Sequence, residues 1–205
     1  MVKKELLLFF ILSIFLCCCK RDVQMFKIHN LNGDKISCFG HGGMGVGFDY
    51  PIDTWESIEP VLRIGADGTE MDVQMTRDSV LEAYHNSYLS ESTACNGTIN
   101  DNLWADIWGC HFASPISTSI NLKSADDIFS SVNNLLDYTF TFDCKLYSNN
   151  SDQLGFKKQY ANAVIRLINS HAINIEKIYI ESQDTIFLRL IKTKNPDLKL
   201  FIYPS

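Results

Sequence analysis

Glu70 and Asp72 stand two residues apart in the segment TEMDVQMTRD, so an extended chain carries both carboxylates on one face. Met71, Val73 and Met75 form the opposite, apolar row. The preceding RIGADG reads as a helix end feeding straight into a strand. That is the order of an α/β protein, in which both faces of a strand are covered. Carboxylates on a covered face need a compensating charge. Asp143 and Lys145 repeat the two-residue spacing in YTFTFDCKLY, and His41 and His85 each end a further extended segment. Three carboxylates converging from neighbouring strands make a hard oxygen site, suited to Ca2+ or Mg2+ rather than zinc. Two histidines flanking it supply a general acid and a general base. Taken singly these residues have plainer readings. Glu70 and Asp72 also suit a solvated strand face, Asp143 and Lys145 a weak surface ion pair, and each histidine a turn. The ordered set favours chemistry.

The elements that must position the set alternate. ISCFGHGG reads as a strand entering a glycine-rich turn, and DTWESIEPVLRIGA as a helix capped by Asp53 or Thr54 and bent or shortened at Pro60. GTEMDVQMT and LEAYHN are extended, LKSADDIFSSVNNLL is helical and YTFTFDCKLY is a strand. Phe156, Tyr160, Ala163, Val164, Leu167 and Ile168 share one face of a strong amphipathic helix. KIYIES, DTIFLRLIKTK and LKLFIYPS then give strand, helix and strand. Such alternation implies a mostly parallel sheet or barrel, and barrel enzymes carry their catalytic groups at the C-terminal strand ends. The stretch from Ser87 to Ser119, rich in Ser, Thr, Asn and Gly, is long enough to be functional.

The chain has 205 residues, 46% of them hydrophobic, as in a soluble globular domain, and a net charge of −6. That balance argues against a nucleic-acid partner. One domain is expected, over residues 36–205 with an insertion at 87–119. Residues 1–19 lie outside it. MVKK followed by ELLLFFILSIFL is a basic segment and an apolar run too short to span a bilayer, which suits a signal peptide. The run ends in three cysteines and resembles a bacterial lipobox, with Leu16 three residues before Cys19. Cys19 is the expected acceptor, Cys17 the next choice, and a plain signal anchor the alternative. A diacylated Cys19 tethers the protein to the cell envelope, with residues 20–35 as linker. In such an oxidising compartment Cys95 and Cys110 are free to pair.

The ordered block GHGGMGVGFDYPIDTWESI…GADGTEMDVQMTRDSVLEAYHN resembles the signature of the glycerophosphodiester phosphodiesterases, and the resemblance continues from about Ile36 to Tyr203. It implies an α/β TIM-type (β/α) barrel of which this chain carries about six of eight strands. It implies His41 and His85 as the acid/base pair, Glu70, Asp72 and Asp143 as metal ligands, and Lys145 as a phosphate contact. Residues Glu91–Ile107 resemble the start of that family's small insertion. The activity implied is metal-dependent hydrolysis of glycerophosphodiesters to glycerol 3-phosphate and an alcohol, a step of lipid metabolism at the envelope. Four positions depart from the pattern: Gly42 replaces an arginine, Ile52 a glutamate, Asn86 an aspartate and Asp143 a glutamate. The Arg loss removes a bidentate phosphate donor. Two other readings remain: a phospholipase D-like enzyme acting on intact or lyso-lipids, and a non-catalytic lipoprotein. With strands seven and eight lacking, LKLFIYPS is left without a covering helix, and Phe201 and Tyr203 are expected to be exposed.

Overall fold

The computed structural model describes residues 36–45, 50–113 and 119–203. The signal-like run, Cys17, Cys19 and the linker fall outside the described residues. Six strands form one sheet: β1 (Phe39–Gly40), β2 (Gly68–Met75), β3 (Leu81–Ala83), β4 (Thr139–Cys144), β5 (Ile178–Ser182) and β6 (Lys199–Ile202). Five run parallel in the order β1-β2-β4-β5-β6. This is the wall of a (β/α) barrel, open between β1 and β6 among the described residues. One expectation is corrected in detail. β3 is antiparallel to β2, with Val73 opposite Ala83 and Met75 opposite Leu81. It folds back as a hairpin because only five residues separate the two strands, too few for a parallel crossover. His85 therefore does not end a parallel barrel strand.

β2 is the spine of the sheet. Its apolar row, Met71, Val73 and Met75, is fully covered, as are Asp72 and Gln74 on the other face. Gly68 opens the strand where β4 passes closest. A Cβ there would stand 1.7 Å from the Thr139 carbonyl oxygen, so no larger residue fits.

Among the described residues, five α-helices alternate with or follow the strands: α1 (Trp55–Arg63), α2 (Trp104–Ile107), α3 (Ala125–Ser131), α4 (Gln153–Ser170) and α5 (Thr185–Lys194). Thr54, Ser124, Asp152 and Asp184 cap α1, α3, α4 and α5 with side-chain oxygens that accept first-turn N–H groups. Pro60 sits inside α1 without ending it, and the helix runs on to Arg63. All six residues of the predicted apolar face of α4 are buried. They pack with Phe140, Phe142, Ile178 and Ile180 of the sheet in the main core. There Phe129 meets Phe140 edge-on at 4.8 Å.

The 87–119 excursion has its own small core, in which Tyr84, Leu89, Ile99, Ile107, Phe112 and Leu122 pack together. Cys95 and Cys110 form a disulfide across it, their Cα atoms 5.9 Å apart. Closing a loop of this length contributes roughly 3 kcal/mol. A bond of that kind offsets the small apolar area available to so short a segment.

Glu82 faces the seam between β3 and the Ser124 bridge and is wholly buried. Neither carboxylate oxygen makes a well-formed hydrogen bond. Burial, reinforced by Asp127, pushes its pKa well above the usual carboxylate range, and the Lys123 backbone N–H offsets only part of this. A carboxyl whose pKa is raised by folding costs stability as pH climbs from the unfolded value through the folded one. Glu82→Gln should therefore leave the melting temperature nearly unchanged at pH 5 and raise stability by about 1–3 kcal/mol at pH 8. Calorimetric scans at the two pH values check this. An equal loss at both would mean the carboxylate is paired.

Candidate active site

Glu70, Asp72 and Asp143 each bring one carboxylate oxygen to a common point, all within 4.8 Å of one another. The sheet register explains it. Asp72 lies opposite Asp143, and Asp143 opposite Glu181, so three acidic residues of β2, β4 and β5 form one lateral row. Glu70 is two residues back along β2 and faces the same way.

Asp72 is held on every side. Its backbone N–H donates to Asp53 Oδ1 at 3.0 Å, and its carbonyl accepts from the Tyr84 N–H at 3.0 Å. Lys145 Nζ lies 3.0 Å from Asp72 Oδ1 and 2.6 Å from Asp143 Oδ2. The Tyr203 hydroxyl donates to the other Asp143 oxygen at 2.7 Å. The glycine-rich turn after β1 closes the other side. The Gly42 N–H donates to Glu70 Oε2 at 2.8 Å, and His41 Nδ1 stands 3.4 Å from the same oxygen.

Of the residues read from sequence, the structure gathers Glu70, Asp72, Asp143, Lys145 and His41. His85 sits one residue past the Tyr84–Asp72 bond, with its ring exposed and Nδ1 2.9 Å from Asn86 Oδ1. It makes no hydrogen bond or ion pair with the carboxylates. Asn86 thus fills the post expected of an aspartate, as a neutral partner for the ring. Three neighbours escaped the sequence reading: Asp53, Glu181 and Tyr203. Glu181 shares the alternation that exposed Glu70 and Asp72, and so was readable. Tyr203 was expected to be exposed, but its hydroxyl turns in to Asp143. Phe201 is exposed, with 52% of its surface free.

The charges are unbalanced. Burial first, then Asp72, push the Glu70 pKa up to about 8. Asp53, fully buried, is raised by burial and by Asp72 and Glu70. Burial and Asp143 raise Glu181. For Lys145 burial acts downward, but the two aspartates outweigh it and hold the ammonium charged. Two unit charges 4–5 Å apart near a protein surface repel by about 3–4 kcal/mol, so one ammonium does not neutralise the set. A cluster of hard oxygens with surplus negative charge fits a divalent cation.

An open (β/α) wall whose acidic row runs from Glu70 and Asp72 within β2 to Asp143 and Glu181 near the C-terminal ends of β4 and β5 is the arrangement of a (β/α)-barrel site. The profile of the Glycerophosphoryl diester phosphodiesterase family matches residues 44–203, and the chain belongs to that family. The glycerophosphodiester phosphodiesterase of Bacillus altitudinis is 36% identical over 59 residues, 29% of this chain and 24% of the relative. The Bacillus subtilis protein YqiK is 30% identical over 63 residues, 31% of this chain and 26% of that one. The matched segments thus span about a quarter of those relatives. An Oleispira antarctica phosphodiesterase solved with sn-glycerol-3-phosphate superposes with a TM-score of 0.67 at 15% identity, over 80% of this chain and 64% of that one. The Agrobacterium tumefaciens glycerophosphodiester phosphodiesterase gives 0.67 at 16%, over 81% and 66%. These structures share the fold.

Glu70 carries a raised pKa, so its ionisation costs stability as pH rises from its ordinary value through about 8. A divalent cation relieves that cost only where Glu70 would otherwise be forced to ionise. The rise in melting temperature produced by Ca2+ or Mg2+ should therefore be larger at pH 8.5 than at pH 6. Glu70→Gln should flatten this pH dependence.

Proposed function

We propose that the protein hydrolyses glycerophosphodiesters to glycerol 3-phosphate and an alcohol, with Ca2+ or Mg2+ held by Glu70, Asp72 and Asp143. The convergence of those three oxygens within 4.8 Å, beside Lys145 and His41, carries this reading. When bound, the cation supplies charge neutralisation at a non-bridging phosphate oxygen. Lys145 gives a second positive contact to the phosphate from the same wall. His41, hinged on Glu70, and His85, paired to Asn86, serve as general base and general acid toward the attacking and departing oxygens. The glycine-rich turn orients His41 through the bond from the Gly42 N–H to Glu70.

The N-terminal segment supports an envelope localisation. In this proposal Cys19 bears the lipid, the signal-like run directs export, and the enzyme works at the envelope surface. The phospholipase D-like alternative gains support from one feature: Tyr88 and Trp108 of the insertion are exposed aromatic residues suited to a lipid surface. Turnover of lysophospholipid in preference to the deacylated diester would favour it. A non-catalytic lipoprotein would bind cation and hydrolyse neither.

Purified full-length protein should release glycerol 3-phosphate from glycerophosphoglycerol or glycerophosphocholine in the presence of Ca2+ or Mg2+ and stop when chelator is added. Activity that persists after complete metal removal would refute the site. His41→Ala and His85→Ala should lower kcat at least a hundredfold and leave cation affinity within about threefold. Glu70→Ala and Asp72→Ala should weaken both. Calorimetric titration of the cation separates the two classes. Equal loss of cation binding in all four variants would make the histidines ligands.

A further inference from the structure

Glu70 and Asp72 are followed on the same face of β2 by a third polar residue, Gln74, which is wholly buried. Its carboxamide reaches off the strand to the segment that carries His85. Nε2 donates to the Tyr84 carbonyl at 2.7 Å and to the Asn86 carbonyl at 2.8 Å, the residues on either side of the histidine. A primary amide nitrogen has two hydrogens, and both are spent here. The Oε1 of the same amide is buried and makes no hydrogen bond among the described residues. What Gln74 contributes is therefore its two donors.

The bond from the Tyr84 N–H to the Asp72 carbonyl, at 3.0 Å, is a third tie between this segment and β2. The three ties come from positions 72 and 74, successive residues on one face of the strand that also carries Glu70. Between them His85 is exposed, and its Nδ1 meets Asn86 Oδ1 at 2.9 Å. The Asn86 side chain is steadied in turn by a bond from its Nδ2 to Ser92 Oγ at 3.3 Å. An exposed ring beyond a strand end moves with its backbone unless that backbone is held. Here the bonds that hold it on both sides come from one side chain. Removing the amide leaves only the tie at the Tyr84 N–H and frees the carbonyl beyond His85.

We propose that Gln74 is the positioning residue of His85: its amide fixes the backbone on both sides of the histidine and so sets where the ring stands relative to the metal-site carboxylates. This role rests on the phosphodiesterase reading, in which His85 is one of the acid/base pair, and its test separates the two. Gln74→Met keeps the length of the side chain and removes both donors. Gln74→Asn keeps both donors and sets them back by one methylene. With Ca2+ or Mg2+ saturating, kcat on glycerophosphoglycerol should fall about tenfold in Gln74→Met and by less in Gln74→Asn, with KM and cation affinity within about twofold of the parent. In a His85→Ala background the same substitutions should lower kcat no further, because an effect exerted through His85 vanishes with it. A purely structural role would multiply the two losses. Carbon–proton NMR of the histidine rings in the full chain gives a readout free of turnover. The chain has five histidines, and the His85 signal is the one lost in His85→Ala. That signal should shift or broaden in Gln74→Met while the His171 signal stays in place. Should Gln74→Met fail to fold, Gln74→Asn carries both readouts. An unmoved His85 signal, an unreduced kcat in both variants, or losses that multiply would overturn the role of Gln74. Undiminished turnover in His85→Ala would defeat the acid/base reading and leave the ring signal to decide whether Gln74 places His85.

Discussion

Asp72 is the constraint on which the rest of the site depends. It is a buried carboxylate whose backbone N–H, carbonyl and side-chain oxygen are all engaged, by Asp53, Tyr84 and Lys145 respectively. Each partner comes from a different element: the turn before α1, the β3 hairpin and the end of β4. Fixing Asp72 therefore fixes the positions of the His41 turn, the His85 hairpin and the ammonium at once. The cost is electrostatic. Five carboxyl groups, Asp53, Glu70, Asp72, Asp143 and Glu181, influence one another around a single ammonium. Such crowding disfavours folding unless the site gains further positive charge. In the proposed reading, the same surplus that weakens the metal-free fold is the source of the cation's affinity.

Much of this was legible in the sequence because it follows short periods. The alternation in TEMDVQMTRD and YTFTFDCKLY gives the strands, their buried faces and the shared direction of Glu70, Asp72 and Asp143. The helical spacing from Phe156 to Ile168 gives the buried face of α4. What was not legible depends on pairing between distant segments. The antiparallel course of β3 is set by a turn, Thr76 to Val80, that hydrogen-bonds back on itself, and its apolar pattern does not distinguish direction. Asp53 and Thr54 both read as helix caps from sequence; Thr54 takes that role, leaving Asp53 at φ +64° to reach under β2. Tyr203 alternates with Ile202 as an ordinary strand residue would, and only its hydroxyl's reach across β5 to β4 brings it to Asp143.

The insertion illustrates a different limit. Its polar composition and weak periodicity predict a loop, and its described residues are built from short helical turns rather than long elements. It folds all the same because Tyr84 extends from β3 into its small core, with its hydroxyl donating to the Tyr88 carbonyl. The residue beside His85 thus anchors the insertion, which couples the placement of the proposed acid/base group to the disulfide-closed segment above it.

The two departures near the first histidine are one event in physical terms. Gly42 has φ +55°, and a Cβ built on it would stand 2.7 Å from the Ile52 Cβ. An arginine cannot enter that position while Ile52 and the present backbone remain, for both steric and conformational reasons. The tight turn serves another purpose. With no side chain at residue 42, its N–H reaches Glu70 at 2.8 Å and its carbonyl accepts from both the Asp53 N–H and the Ser57 hydroxyl. A backbone clamp on Glu70 thus stands where the family resemblance implies a guanidinium. In the proposed reaction, positive contact to the phosphate falls to Lys145 and the cation, both assigned to the β2–β4 wall.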